Sequence, residues 1–518
     1  MRFFEILLLF ALFLSLIGYF YPGRKRPRFF VYLPFLAAVF ILIHLLLEKY
    51  RWQMVPAYLW CLLFVCLSLY QLRRKTVAEE KKPRRSLRVL AVVMTVFGII
   101  LFLLTAAIPW FFPVIHFPEP TGEYAVGTTA LHVIDSSRPE AFTDDPDDRR
   151  EFMVRVWYPA EPAKGSKPIP YWEKADIIGS VRIKDDFQRW GLTWMPTYFF
   201  NHFALMKTNS YPDAPLAKAE PHYPVVLFSP GGGVIHERNF LHVEELASHG
   251  YIVLSLSAPY ESWAVIFPDD RVIRGKFLKA NPNQAEEEKA REKKAQEIVE
   301  RLQKSTDILE RKAIMRELFA LDPDGIMDKL LHVRVADARF TFDELVRMNS
   351  GEKESPFKGK LDLERVGIFG MSLGGAVTGQ VCLEDDRFKA GVNLDGTQFG
   401  TLIDNYLHQP FMFMNSGDSK DHNDFVYDRT TDITYSVTIK GSSHMDFTDM
   451  FFTSPIVKKF NRKAIPDERM YLVANAYIVA FFDKYLKGKE SVLLEGPSED
   501  YPEAVFKIVN TPERGELE

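Results

Sequence analysis

Residues Val366-Gly-Ile-Phe-Gly370-Met371-Ser372-Leu373-Gly374-Gly375 form an apolar run that leads into the pattern G-x-S-x-G and then into a stretch of small residues, Ala376 to Gln380. The five-residue pattern alone recurs by chance; an apolar strand before it and a helix after it make it informative. A serine on a sharp strand-to-helix turn lifts its hydroxyl above a sheet. Glycine is needed on both flanks, because side chains there would collide with the neighbouring strand and helix. The reading this imposes is a mostly parallel sheet covered by helices, with Ser372 as a nucleophile.

The chain from about residue 115 onward agrees with that reading. Short β-branched or aromatic runs, separated by Gly, Pro and Asp clusters, alternate with longer helical stretches. They predict strands over 124–134, 151–158, 224–228, 252–256, 366–369, 390–393, 411–414 and 435–440, with one more around 504–509. Several are apolar throughout, as strands buried on both faces should be. Residues 172–220 are rich in aromatics, including Trp190, Trp194, Tyr198, Phe199, Phe200 and Phe203. Residues 282–318 are dominated by Glu, Lys, Arg, Gln and Ala, which predicts a charged surface helix within an inserted segment of about 282–330; a mobile lid over the site is the other reading. Residues 467–486 form an amphipathic helix that offers Leu472, Ile478, Phe481 and Phe482 for burial and stops at Lys487-Gly488.

A serine hydroxyl is a poor nucleophile at neutral pH, so a histidine must take its proton and a carboxylate must hold that histidine in the right tautomer. Only His408, His422 and His444 follow Ser372. His444 sits in Gly441-Ser442-Ser443-His444-Met445-Asp446-Phe447, a turn after a predicted strand, where it can swing over the sheet. The acid is open on spacing alone. Asp395 ends Gly391-Val-Asn-Leu-Asp395-Gly396, one strand after the serine, while Asp418 and Asp421 follow the next strand. Stabilising the oxyanion needs aimed N–H donors. The backbone of Leu373 supplies one, and the loop Ser229-Pro230-Gly231-Gly232-Gly233 after the 224–228 strand supplies the other, with Gly232 chosen.

Composition limits the alternatives. A net charge of −4 over 518 residues gives no electrostatic case for nucleic acid. Of the three cysteines, Cys61 and Cys66 lie in an apolar run and Cys382 stands alone, so no disulfide framework or cysteine metal site is expected, and no cofactor or metal is called for. Cys382 reads as a small core residue.

The first 112 residues read as a separate membrane unit. Apolar stretches at about 3–21, 29–47, 53–70 and 89–108 each reach the roughly 20 residues a helix needs to cross a bilayer, the first three being short but adequate. A cleavable signal peptide would carry its charge before the first stretch, yet only Arg2 precedes it, while Arg24, Lys25, Arg26 and Arg28 follow. Eight Lys or Arg residues lie from Arg73 to Arg88, so the first and third loops are expected in the cytoplasm and residues 115–518 on the extracytoplasmic side of a multi-pass cell-membrane protein. Trp52, Trp60, Tyr70 and Trp110 fall near the ends of the stretches, as interfacial aromatics do. Glu5 and His44 are polar exceptions near helix ends.

Several segments together resemble the platelet-activating factor acetylhydrolase family and its dienelactone-hydrolase-like relatives, an α/β-hydrolase group. They are Val154-Arg-Val-Trp-Tyr-Pro159, Tyr223-Pro-Val-Val-Leu-Phe-Ser-Pro-Gly231, Asp337-Ala-Arg-Phe-Thr-Phe-Asp-Glu-Leu345, the stretch from Leu363 to Gly375, Leu394-Asp395 and Ser443-His444. The resemblance spans roughly 120–485 and implies the α/β-hydrolase fold, a Ser372–Asp395–His444 triad, and metal-independent hydrolysis of carboxylic esters, with short or oxidised acyl chains of phospholipids as the best-known substrates. Met371 and Pro230 stand where the family commonly has histidines, so the acyl preference does not carry over, and residues 1–110 lie outside the resemblance. The expected function is a membrane-anchored serine hydrolase of lipid or other carboxylic esters working through an acyl-enzyme. The other readings are acyl transfer by the same triad and a catalytically silent membrane sensor or scaffold.

Overall fold

The computed structural model describes residues 1–20, 27–73, 85–182, 196–233, 239–276, 285–322, 325–417, 423–449, 452 and 465–509. Four helices open the chain: α1 (Phe3–Phe20), α2 (Leu33–Leu47), α3 (Val55–Arg73) and α4 (Arg85–Phe111). They pack through Leu8, Leu12, Leu16, Ala37, Ala57, Cys61, Phe64 and Phe102 and leave large apolar side chains such as Leu46, Leu59, Leu62 and Leu103 outward. Two segments, Trp52–Arg73 (22 residues) and Val93–Phe111 (19 residues), are long and apolar enough to cross a bilayer; Phe3–Tyr19 and Leu33–Glu48 are apolar but shorter. The basic loops 21–26 and 74–84 lie outside the described residues.

The two polar residues noted in these stretches belong to a buried network. Arg51 grips Glu5 with Nε and Nη2, 2.6 Å to each carboxylate oxygen, and Arg2 Nη2 donates to Glu5 at 2.7 Å. His44 lies 2.9 Å from Glu48 and 2.7 Å from the Tyr58 hydroxyl. Arg51 also donates to the carbonyls of Pro109 and Phe112, and Trp52 Nε1 donates to Phe199 O at 2.9 Å. One end of the bundle is thereby tied to the domain that follows.

That domain is built on β1 (Ala125–Pro139), β2 (Arg149–Ala160), α5 (Ala175–Arg182), β3 (Ser210–Pro212), β4 (Tyr223–Ser229), α6 (Phe240–Ser248), β5 (Ile252–Leu256), a small β6 (Ala264–Ile266) and β7 (Val272–Arg274) pair, α7 (Ala285–Lys304), α8 (Ile308–Phe319), α9 (Ile326–Ser350), β8 (Leu361–Met371), α10 (Leu373–Glu384), β9 (Phe388–Leu394), β10 (Phe411–Ser416), β11 (Thr434–Ile439), α11 (Asp467–Lys487) and β12 (Ala504–Val509). The main sheet runs β12-β11-β10-β9-β8-β4-β5-β2-β1-β3, and its centre, from β11 to β5, is parallel. The parallel strands are apolar on both faces because both are covered. Val226, Phe228, Phe369, Val392 and Met414 meet α6 and α11 on one face; Val225, Leu227, Ile368 and Phe413 meet α9 and α10 on the other.

Most predicted elements stand within a few residues. The charged stretch is two helices, because Asp307 caps α8 by accepting from Glu310 N at 2.7 Å. Both helices are packed, α7 through Ile298 and Leu302 and α8 through Ile314 and Met315. The segment expected as an insertion over about 282–330 holds α7, α8 and the first turn of α9 from Ile326. In α11, Ile478, Phe481 and Phe482 are buried, but Leu472 is 44% exposed: the inward stripe runs through Met470, Val473, Ala474 and Tyr477. The helix ends at Gly488, whose φ of +67° suits glycine.

Edge strand β3 is anchored by a buried acid. Glu244 on α6 accepts from Asn209 N at 2.9 Å, from Asn209 Nδ2 at 3.1 Å and from the Ser210 hydroxyl. Burial outweighs these bonds and pushes its carboxyl from the ordinary 4.5 up to about 7. A raised carboxyl pKa means the fold prefers the protonated form, so its contribution is present below about pH 4.5 and lost as pH rises toward 7, by about 3 kcal/mol. Glu244→Gln cannot lose that proton. In detergent-solubilised full-length protein, the melting temperature of wild type relative to this variant should therefore fall between pH 5 and pH 8. A constant difference would show that Glu244 does not titrate in that window.

Candidate active site

Ser372 occupies the turn between β8 and α10 with φ +55° and ψ −122°, a conformation L-residues rarely adopt. Crowding enforces it. A methyl group on Gly374 would lie 1.9 Å from Ser229 O, and one on Gly370 would lie 2.1 Å from Gly374 O. The backbone of α10 can therefore pass over β4 and β8 only where side chains are absent. Ser372 N donates to Leu394 O at 2.9 Å, which fastens the turn to β9.

Asp395 follows β9, also with positive φ (+52°). Its N–H donates to Met414 O at 2.7 Å, and its Oδ1 accepts from Ser416 N at 2.6 Å. The other oxygen, Oδ2, lies 2.7 Å from His444 Nδ1. Burial alone would raise the Asp395 carboxyl, but the hydrogen bonds from His444 and Ser416 and the nearby imidazole charge outweigh it and hold the group below its ordinary value. The adjoining turn is bound by Asn393, which donates to Gly396 O at 2.7 Å and accepts from Gly396 N at 2.8 Å, and by Asn423 Nδ2, 2.8 Å from the same carbonyl.

His444 starts a short 3-10 turn, His444–Phe447, after β11. Ser443 caps it, with both its N–H and its hydroxyl donating to Asp446 at 2.7 Å. Further along, buried Asp449 accepts from Asn239 N at 2.8 Å, Phe240 N at 3.1 Å and the Tyr471 hydroxyl at 3.0 Å, so the histidine loop is moored to α6 and α11. The imidazole is 43% exposed on the open side.

One cavity of about 490 Å³ is lined by Ser372, Leu373, Asp395, Ser416 and His444 together with Leu318, Phe319, Met327, Thr397 and Phe399. The apolar side comes from α8 and the start of α9, the inserted segment, and includes a stack of Phe319 on Phe399 at 4.6 Å. The five expected site residues are thus partitioned simply. Four line this cavity. Gly232 lies beside it: a methyl placed on Gly231 would come 3.6 Å from Ser372 Cβ, and one on Gly232 3.6 Å from Leu373 Cδ2. Met371 packs beneath that loop, its sulfur 3.0 Å from the same position on Gly231. His408 is elsewhere, 2.8 Å from the Thr431 hydroxyl, while Asp418, Asp421 and His422 lie outside the described residues. Cys382 is buried, which pushes its thiol up and agrees with a core role. Sequence reasoning did not single out Asn393, Ser416, Asn423 or Asp449; the last three act through contacts distant in sequence, and Asn393 through a local turn that closes on Gly396.

Such an arrangement can deliver a serine hydroxyl, an imidazole backed by a carboxylate and helix N-terminal N–H groups to one reacting carbonyl. Comparison with known proteins points the same way. The family model for platelet-activating factor acetylhydrolase, isoform II, matches residues 110–495. The platelet-activating factor acetylhydrolase of Cavia porcellus is 27% identical over 392 residues, covering 71% of this chain and 78% of its own. A probable 1-alkyl-2-acetylglycerophosphocholine esterase of Arthroderma benhamiae is 24% identical, covering 55% and 66%. Among solved structures, a ferulic acid esterase from Streptomyces cinnamoneus superimposes with a TM-score of 0.57 over 76% of this chain and 99% of its own, at 23% identity, and so shares the fold. With the family model matching residues 110–495 and relatives named as acetylhydrolase and esterase, the protein belongs to the platelet-activating factor acetylhydrolase isoform II family and is a carboxylic ester hydrolase.

Proposed function

We propose that the chain is a membrane-anchored serine hydrolase that cleaves lipid esters through Ser372, His444 and Asp395. The observation that carries this reading is the single cavity where the strained Ser372 and the Asp395-bonded His444 share one wall and apolar side chains form the other. In the mechanism, His444 Nε2 takes the hydroxyl proton as Ser372 Oγ attacks the ester carbonyl. The N–H groups of Leu373 and Gly232 stabilise the oxyanion. The imidazolium gives that proton to the departing alcohol, leaving an acyl-serine; the neutral imidazole then takes a proton from the attacking water and returns it to Ser372 Oγ as the carboxylic acid leaves. Asp395, ionised because its carboxyl is held low, keeps the Nδ1 proton in place.

The substrate class follows from the apolar wall. Leu318, Phe319, Met327, Leu373 and Phe399 suit an acyl chain, and one relative is named for a 1-alkyl-2-acetylglycerophosphocholine. We read the four N-terminal helices as the anchor. Their outward apolar side chains support it, as does the docking of Trp52 and Phe112 on Phe199, with ring centroids 4.9 Å apart in both pairs. Those contacts set the α2–α3 connection and the end of α4 beside Phe199, and in the sequence Lys and Arg gather between α1 and α2 and between α3 and α4, so on the positive-inside rule we read the catalytic domain as extracytoplasmic.

A fluorophosphonate probe should label the intact protein in native membranes, and Ser372→Ala should abolish labelling; labelling of that variant at the wild-type level would remove the serine from the mechanism. Asp395→Asn should keep the fold but lower kcat by about 10³- to 10⁴-fold, because the wrong imidazole tautomer is then favoured. Retained kcat would shift the acid elsewhere. Phe319→Ala should lower kcat/KM for medium-chain nitrophenyl esters by about 10-fold and leave acetyl esters nearly unchanged. An equal effect on both would place the acyl chain outside this wall.

A further inference from the structure

A buried ion pair behind the glycine loop has no part in the mechanism above, yet it touches the one element of the site whose geometry depends only on backbone. Arg334, on α9, is 6% exposed and Glu261, on the loop after β5, is 4% exposed. The guanidinium donates from Nε to Glu261 Oε2 at 2.8 Å and from Nη2 to Glu261 Oε1. Its remaining donors go elsewhere: Nη1 donates to Pro230 O, and Nη2 reaches Gly231 O at 3.4 Å. Those carbonyls open the glycine loop. In a planar trans peptide the carbonyl and the following N–H point in opposite directions, so holding the carbonyls of Pro230 and Gly231 also sets the directions of the Gly231 and Gly232 N–H groups. Glycine has no side chain to hold these peptide planes, and its backbone is the most permissive of any residue. An external clamp is therefore the means by which such a loop keeps one orientation.

Resting on the serine-hydrolase reading, we infer that Arg334 is a positioning residue for the oxyanion hole: its fork, held in turn by Glu261, fixes the peptide planes that aim the Gly232 N–H at the developing oxyanion. The chemistry favours arginine here. A planar fork can bond a carboxylate and two carbonyls at once, whereas the ammonium of lysine is a single point charge. A purely stabilising ion pair would behave differently, since a buried pair replaced as a unit by apolar residues often leaves stability unchanged.

The test uses the full-length protein in detergent, with active sites counted by fluorophosphonate so that rates refer to folded enzyme. The double variant Arg334→Met/Glu261→Leu removes both charges together, and Arg334→Lys keeps the pairing with Glu261 but loses the fork. Each should show kcat per active site lowered about 10- to 100-fold, somewhat less than the loss on deleting a donor outright, with KM changed less than about 3-fold. Preference for an ester over its thionoester should shrink in parallel, because sulfur is a poor acceptor for those N–H groups and only an intact hole discriminates strongly. Unchanged kcat and unchanged thionoester discrimination in a folded variant would overturn the clamp while leaving the triad standing. Absence of labelling and turnover in wild type would instead overturn the serine reading and the clamp with it. Should the double variant fail to fold, the lysine variant decides: full kcat per site overturns the proposal, and a selective loss of kcat with reduced thionoester discrimination supports it.

Discussion

The close passage of the α10 backbone over β4 and β8 is the constraint on which the rest of the site depends. Where Gly370 and Gly374 lie against Gly374 O and Ser229 O there is no room for even a methyl group, and the chain between them adopts the left-handed φ of Ser372. Strain of this kind persists only where the surroundings over-determine it. Here the surroundings are the parallel strands on either side and the helices that bury both faces of the sheet.

Around that turn buried polar groups hold the backbone in position. Asn393, Asn423 and Ser416 hold the Asp395 turn, and Asp449 moors the histidine loop to α6 and α11. Arg334 and Glu261 brace the glycine loop from beneath. Buried groups of this type are costly unless fully bonded, so each network admits few alternative geometries. The cavity wall has a different origin. Leu318, Phe319 and Met327 come from the inserted helices, which are held by their own apolar contacts and by Arg311 on Asp424 at 2.9 Å. The residues around Ser372 and the apolar wall facing them are thus held by separate sets of contacts.

The N-terminal helices show how local reading and context divide. Glu5 and His44 look like isolated polar residues in apolar stretches, yet Arg51 reaches Glu5 from 46 positions away and Tyr58 meets His44. A bidentate Arg–carboxylate pair is the arrangement in which such charges tolerate burial. Sequence periodicity carries no information about these contacts, because Glu5 lies on α1 and Arg51 in the α2–α3 connection, while His44 and Tyr58 lie on different helices.

The sequence by itself determined the parallel sheet, the serine turn and the histidine loop, because these rest on short-range chemistry: apolar runs, glycines at fixed offsets, and the small set of residues able to take a proton. Spacing left the partner of His444 open between Asp395 and later carboxylates, with only the family resemblance favouring Asp395, and the sequence read one charged helix where Asp307 divides two and placed Leu472 in the core. Only the tertiary structure decided these matters, and it alone brought Arg334 under Pro230 and Phe319 beside Phe399. The Asp307 cap is a local bond to Glu310, but the contacts of His444, Arg334 and Phe319 share one physical reason. A hydrogen bond or ring stack across a hundred residues depends on how layers pack, and packing is a property of the whole fold rather than of any window along the chain.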